Sequence, residues 1–577
     1  MSVPDVSSIV IERDVAIPMR DGVDLVADVY RPAEGRWPVL VQRTPYGRIP
    51  FPDNFVSLNP VTAAARGFAV VVQDVRGRGG SGGDFEPFME FDDGFDTVEW
   101  AAEQPWSTGR VGAFGASYMG ATTMQMAASG PPALQAFAAL QASSDYYEGR
   151  SYWGGALELG ALLSTNLGVM AIGSLPRVFP DPRVPRARVM RASLRKVLDD
   201  LPHTPVTFPL RDRLDDGSGV LETLTPWFPQ WLDHDAPGEY WEARSIEERH
   251  DRIHSAGVHV TSWYDAMLPG TLTNFTALRA AGRAPQRLIV GPWFHYALRG
   301  FSVDAVRVGD LSFGPAAAMD LDRIQLSWLG AALDDRPQSD HSPVRLFVMG
   351  ANEWRDEDEW PLRRARVRPL YLTSDGDAAT DVRAGALVAE EPTGSGGDEF
   401  VYDPTDPVPT AGGAHVISPL ISTHGPVDQR DLEARADVLS YTGPVLDSPV
   451  EVTGYVRAEL WITSTAPSTD FTARLVDVYP DGRAISVCDG IRRLFVEEGA
   501  GPGVVRRVEI EMGATSQVFL RGHRIRVDVS SSNYPRFDPN PNTGERSLDA
   551  TSSVPARQRV LSGPGAPSRL LLPFVED

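Results

Sequence analysis

The sequence predicts an α/β domain built on a mostly parallel sheet, interrupted by a helical insertion and followed by an all-β domain. Three observations predict it. Apolar runs alternate with helical periodicity over residues 1–146 and again over 250–362. The rhythm stops over 147–249. Helical periodicity then vanishes over 363–577, where short alternating runs take over. A chain of 577 residues exceeds one hydrophobic core, so several domains are expected.

Each element has its own signal. Residues 9–31 read as a β-hairpin turning at Arg20-Asp21-Gly22. Val39-Leu40-Val41 and the run from Phe68 to Val72 read as buried strands. The second ends in a glycine-rich stretch, Asp74 to Gly83. It lacks the Gly-Lys-Ser/Thr ending of a phosphate-binding loop and opens no helix, so it reads as structural. Phe91, Phe95, Val98 and Ala102 share one helical face. The insertion contains an apolar helix from Gly155 to Met170, an arginine- and proline-rich stretch and the aromatics Trp227, Trp231, Tyr240 and Trp241. Most of these aromatics are expected to pack the insertion's own core. Strands resume at Val258–Tyr264 and Leu288–Val290, with helices at Thr271–Ala281 and around Leu321, Ile324 and Trp328. In the last domain Phe471, Ala473 and Leu475 point inward between Thr472 and Arg474. Ile525, Val527 and Val529 alternate with Arg524, Arg526 and Asp528, which are expected outward. Turn signals such as Pro480-Asp481-Gly482 make this a sandwich or jelly roll.

Composition bounds the function. The chain is 42% hydrophobic and 23% charged, with a net charge of −23. That surface repels phosphate backbones, which excludes nucleic-acid binding. The single cysteine, Cys488, sits in a strand-like run and forms no internal disulfide. No stretch approaches the ~18 apolar residues of a membrane span, so no membrane partner and a cytoplasmic location are expected.

One stretch carries chemistry. Val111 to Gly115 is a short apolar run, Ser117 follows two residues later, and a helix-like segment begins at Tyr118. Strand, tight turn with serine at the tip, helix is the context of a nucleophile elbow. Gly115 permits the sharp turn. The turn lifts the Ser117 hydroxyl clear and points the Tyr118 N–H at the same space, so one stretch supplies a nucleophile and half an oxyanion hole. The second glycine of the usual Gly-x-Ser-x-Gly falls one place late, at Gly120, with Met119 in its slot.

A serine needs a base, and the base needs a carboxylate. In this fold the order is Ser, Asp/Glu, His, each just after a strand. Asp265 and His295 meet both conditions. His203 and His234 precede Asp265, His250 and His254 lie in a polar segment, His259 lies within a strand, His341 precedes one, and His415, His424 and His523 belong to the β domain. No His-Glu-x-x-His, His-x-His or Cys-x-x-Cys spacing occurs, and no metal or cofactor is expected.

Several segments together resemble the bacterial cocaine-esterase family, which shares its fold with X-prolyl dipeptidyl aminopeptidases and α-amino-acid ester hydrolases. They are Arg43-Thr44-Pro45-Tyr46, Asp74-Val75-Arg76-Gly77, Gly115 to Gly120, Trp263-Tyr264-Asp265, Gly291 to His295, and Ser531 to Phe537. The resemblance spans nearly the whole chain, and its elbow, Gly-x-Ser-Tyr-x-Gly, expects the displaced Gly120. It implies an α/β-hydrolase domain (1–146 and 250–362), a helical cap inserted at 147–249 and a C-terminal jelly roll at 363–577. It assigns Ser117 as nucleophile, Asp265 as orienting acid and His295 as base, with the Tyr46 phenol as a second oxyanion donor beside the Tyr118 N–H. It places Trp153 and Met267 at the acyl pocket. The activity expected is hydrolysis of a small-molecule ester through an acyl-enzyme. The alternative is an X-Pro dipeptidyl-peptidase or an amino-acid ester or amide hydrolase. A peptidase needs an acidic group for the substrate's ammonium, for which Glu148, Glu158, Asp233 and Asp235 are candidates. A third reading is a sugar-binding protein with an unarmed elbow. A homodimer through β edges is left open.

Overall fold

The computed structural model describes residues 8–48, 58–201, 206–214, 217–296, 306–334, 342–495 and 503–576. The expected hairpin is β1 (Ile9–Pro18) and β2 (Asp24–Pro32), paired antiparallel. The strands that follow are β3 (Trp37–Thr44), β4 (Ala69–Asp74), β5 (Ser107–Ala116), β6 (Leu134–Leu140), β7 (Ala256–Tyr264), β8 (Gln286–Phe294), β9 (Val344–Val348) and β10 (Glu353–Glu357). They form one ten-stranded sheet in the order β1-β2-β4-β3-β5-β6-β7-β8-β9-β10. All pairs from β4 to β9 along that order are parallel. Every residue of β4 (Ala-Val-Val-Val-Gln-Asp) is buried, as a parallel strand covered on both faces requires. Helices α1 (Phe91–Glu103), α2 (Tyr118–Ser129), α3 (Leu268–Ala281) and α4 (Leu321–Leu333) cover the faces.

Strand β6 carries no strand signal in its sequence. Leu-Gln-Ala-Phe-Ala-Ala-Leu lacks any β-branched residue. Helix α2 comes close to its end: a Cβ on Gly120 would lie 2.6 Å from the Leu140 carbonyl oxygen.

The cap begins with a tiny hairpin, Tyr152–Trp153 against Ala156–Leu157. Gly154 and Gly155 turn it at positive φ, so the long helix expected from Gly155 starts only at Leu159. That helix runs Leu159–Val178, with a π turn at Asn166–Ala171. By length and composition it could cross a membrane, which corrects the expectation that no stretch approaches that length. Ser164, Thr165 and Asn166 break the apolar run without adding charge, so the window keeps a mean hydropathy of 1.4. It is the central helix of the cap, with 67% of that window buried among Leu194, Val197, Leu221, Trp227 and Phe228.

The C-terminal domain is an eleven-stranded antiparallel-rich sheet folded on its own core. Phe471, Ala473, Leu475, Val527 and Val529 are fully buried, as the alternation predicts. Arg526 and Asp528 depart from it: they are 6% exposed rather than outward. The segment 430–440 covers that face, where Glu433 pairs with Arg526 at 2.6 Å and Ser440 donates to Asp528 at 2.7 Å.

The cap and the β domain are locked through Ser531 to Phe537. Gly160 N donates to the Pro535 carbonyl, and a Cβ on Gly160 would sit 2.6 Å from that oxygen. Tyr534 donates its hydroxyl to the Leu201 carbonyl at 2.7 Å. Arg536, 1% exposed, bridges Glu158 of the cap (3.2 Å) and Asp489 of the β domain (2.7 Å). Removing one member of a buried ion triad leaves the others uncompensated. Arg536→Met should therefore lower stability by about 3–5 kcal/mol in chemical denaturation. A change below about 1 kcal/mol would show that the triad does not hold the domains together.

Candidate active site

The turn between β5 and α2 is strained where chemistry needs it. Ser117 has φ +60° and ψ −124°, a conformation serine adopts at a cost of about 1–3 kcal/mol. Its N–H donates to the Leu140 carbonyl at 2.9 Å. A Cβ on Gly115 would lie 2.3 Å from the Met119 carbonyl oxygen. With Gly120 against Leu140, both glycines are close-approach positions. The second belongs at 120 because that is the residue facing β6.

The three residues singled out from the sequence converge. Ser117 Oγ and His295 Nε2 are 2.8 Å apart, and His295 Nδ1 is 2.8 Å from Asp265 Oδ1. Asp265 directly follows β7, and His295 directly follows β8, so adjacent parallel strands deliver them side by side. Asp265 is 1% exposed and also accepts from Met267 N (3.0 Å) and Thr261 Oγ1 (3.3 Å), which fixes the carboxylate plane.

Tyr46 follows β3 and hydrogen-bonds Ser117 through its phenol. Burial pushes that phenol up to about 12, while the positive charges of Arg150 and Arg78 pull against it, so it keeps its proton near neutrality. Two buried arginines lie near its loop. Arg43, wholly buried at the end of β3, donates to Gln73 Oε1 (2.7 Å) and to the Glu90 carbonyl (2.9 Å). Arg78, from the glycine-rich stretch, donates to the Pro45 carbonyl at 2.8 Å and to Ser174 of the cap at 2.7 Å. Burial brings Arg78 down to about 10. The glycine-rich stretch is thus a structural loop that serves the site.

The Tyr118 N–H is the first amide of α2, one of those without an intrahelical acceptor. Its side chain turns away, donating to Glu90 Oε1 (2.5 Å) and accepting from Phe88 N (3.1 Å). Burial raises Glu90 to about 7.

A cavity opens over Ser117, His295, Tyr46 and Tyr118. Met267 lines it. Trp153 does not: it packs against Ile491 and Phe537 of the β domain and donates to the Glu511 carbonyl at 3.3 Å. The hairpin at Gly154-Gly155 carries it away from the site. Sequence reading missed Phe88, Tyr146 and Arg150. Phe88 stacks between Tyr118 (4.8 Å) and Tyr146 (3.9 Å), forming an aromatic wall that Trp231 extends. Such residues sit in irregular segments with no periodicity to expose them.

The competing histidines have other partners. His259 contacts Gln286 in the core, and burial lowers it to about 4. His250 contacts Asn274, and His523 contacts Asp477. His203 and His341 lie outside the described residues. His424 reaches over from the β domain to stack on Phe294 at 4.9 Å, and burial lowers it to about 4. Cys488 is half-buried in a β-domain strand, and burial raises its thiol well above the usual range. Among the described residues no cluster of three His, Cys, Asp or Glu is arranged to hold a metal.

Comparison with known proteins agrees with this architecture. Residues 21–297 match the family model of the X-Pro dipeptidyl-peptidase (S15 family), and residues 339–571 match that of the X-Pro dipeptidyl-peptidase C-terminal non-catalytic domain. Cocaine esterase from Rhodococcus sp. (strain MB1 Bresler) is 39% identical over 98% of both chains. A putative serine esterase of Mycobacterium bovis is 27% identical over 90% of each. Among solved structures, an aminopeptidase from a marine-sediment Thaumarchaeota archaeon superimposes with a TM-score of 0.76 at 25% identity, covering 100% of this chain and 98% of that one. An α-amino-acid ester hydrolase gives 0.77 at 21% identity over 100% and 98%, which shows the shared fold. With an elbow serine, a helical cap and a C-terminal β domain in the places these matches require, the chain belongs to the cocaine-esterase/X-Pro dipeptidyl-peptidase (S15) family of α/β-hydrolases.

Proposed function

We propose that this protein is a serine hydrolase that cleaves small-molecule carboxylic esters through an acyl-enzyme, with Ser117 as nucleophile, His295 as base and Asp265 as its orienting acid. The observation that carries this reading is the continuous chain of 2.8 Å contacts from Ser117 through His295 to Asp265 at the floor of a cavity. His295 Nε2 takes the Ser117 proton as Oγ attacks the ester carbonyl. Tyr46 and the Tyr118 N–H donate to the oxyanion that forms. His295 then gives its proton to the leaving alcohol, and water repeats the sequence on the acyl-enzyme. A single cysteine fits the reducing cytoplasm, where we place the protein.

The cavity favours esters over X-Pro peptides. A dipeptidyl-peptidase must hold a substrate ammonium, and no carboxylate lines the cavity among the described residues. Glu158 is bound to Arg536, Asp233 to Arg211 and Asp235 to Arg546, while Glu148 accepts from Gly154 N. An unarmed elbow on a sugar-binding protein has no need of three side chains aligned in this way.

A fluorophosphonate probe should add once to the wild type and not to Ser117→Ala, read by intact mass. An unlabelled wild type would overturn the reading. Tyr46→Phe should lose on the order of 10²–10³ in kcat, the effect of one oxyanion donor. An unchanged kcat would remove Tyr46 from the oxyanion hole. Nitrophenyl acyl esters should be turned over much faster than Gly-Pro-nitroanilide, and the reverse order would favour the peptidase.

A further inference from the structure

The cavity holds one charge that the mechanism above does not use. Arg150 lies in the segment that leads from β6 into the cap and lines the same cavity as Ser117, Tyr46 and His295. It is only 9% exposed. Its Nη2 donates to Thr165 Oγ1 at 3.0 Å, and its Nη1 is buried with no hydrogen-bond partner. Among the described residues no carboxylate lies within ion-pair distance. The acidic group that acts on it most, Glu158, is hydrogen-bonded to Arg536. Tyr46, Tyr146 and Tyr296 surround it as neutral phenols raised by burial, and burial also disfavours its own charge.

Arg43 and Arg536 also have an open guanidinium nitrogen, but each has a carboxylate within 4 Å and neither lines the cavity. Arg43 has Gln73, a carbonyl and Asp93, Arg78 has two carbonyls and a serine, and Arg536 has two carboxylates. A guanidinium cannot shed its proton to escape burial. A buried charge without a counter-ion is costly, and the cost is relieved when an anion enters and pairs with it. The cap shapes the space to admit one. The π turn at Asn166–Ala171 follows directly on Thr165 and presents Asn166 and Met170 to the cavity. π turns of this kind recur at functional sites. Asn166 is already occupied, accepting from Trp227 Nε1 at 2.9 Å, while Arg150 Nη1, Tyr146 Oη and Gln141 Oε1 are lining polar atoms without a partner, and of these Arg150 carries the charge.

We propose that Arg150 makes the cavity selective for esters whose acyl group carries a second carboxylate, the half-esters of dicarboxylic acids, with the guanidinium binding the free carboxylate while Ser117 attacks the ester. This rests on the ester-hydrolase reading and names the substrate class of that site. The reaction adds water across the ester bond and releases the alcohol and the dicarboxylate, with no further reactant. The contact is formed before the chemical step, so its loss raises KM more than it lowers kcat.

The test compares mono-4-nitrophenyl glutarate and adipate with 4-nitrophenyl pentanoate and hexanoate, with the enzyme-free rate of each half-ester subtracted. The wild type should favour the half-ester by about tenfold or more in kcat/KM at one chain length. Arg150→Gln should reduce the ratio of half-ester to neutral ester by about 10–100-fold, the range for a charge-assisted hydrogen bond. Arg150→Lys, which keeps the charge but not the fork, should keep part of it. A wild-type ratio at or below one at both lengths overturns the proposal and needs no variant. So does an equal loss on both ester types in Arg150→Gln, which would assign Arg150 to the oxyanion through Tyr46. Hydrolysis of neither set by a wild type that also fails to label at Ser117 sinks the ester reading itself, and this inference with it.

Discussion

Ser117 is held at positive φ by the close approach of α2 to β5 and β6, and the rest of the site depends on that constraint. The helix can come close only because Gly115 and Gly120 lack side chains. The same approach puts the Leu140 carbonyl where the Ser117 N–H can donate, so the strained residue is tied on one side by the sheet and on the other by its helix. Strain of this order persists only where the surroundings over-determine it. In return the hydroxyl stands clear of the sheet, in line with the ends of β7 and β8 that bring Asp265 and His295.

Arginine is the second organising theme. Arg43 ties β3 to β4 and to the segment before α1, Arg78 anchors the Tyr46 loop to the glycine-rich loop and the cap, and Arg536 fastens the cap to the β domain. The oxyanion donor, the cap over the cavity and the C-terminal domain are therefore linked through buried guanidinium groups. Fork geometry suits this role, since one side chain can satisfy acceptors on two or three elements at once. Against that background Arg150 stands out as the buried guanidinium that lines the cavity, with an open donor and no carboxylate bound to it.

How much of this was legible depended on periodicity and chain order. The apolar runs of β3, β4, β7 and β8 and the strand-turn-helix around Ser117 were readable because parallel strands and an elbow impose strict local patterns. Asp265 and His295 followed from chain order and position after strands. Tyr46 had no signal of its own and entered through the family resemblance. Strand β6 was hidden because it carries alanine and leucine where strand propensity favours β-branched residues. The outward placement of Arg526 and Asp528 failed because alternation reports one face of a strand, not what covers the other. Trp153 failed for a similar reason: a two-glycine turn redirects the chain by an amount no residue pattern encodes. The cavity is lined by residues scattered from Tyr46 to Val416 and could be seen only after folding.

The exterior and the cavity carry opposite signs. A net charge of −23 repels an anionic substrate at a distance, which at first sight conflicts with a site built around a free guanidinium. The two act over different ranges. At physiological ionic strength surface charge is screened within about 8 Å, so it weakens encounter only modestly. Inside the cavity Arg150 is 9% exposed, screening is largely absent, and a contact made there persists through the bound state. The surface charge also bears on the end of the reaction. Hydrolysis turns a substrate with one negative charge into a product with two, and the acidic exterior favours its departure. A cationic point at depth and an anionic shell outside thus select the half-ester on the way in and release the dicarboxylate on the way out.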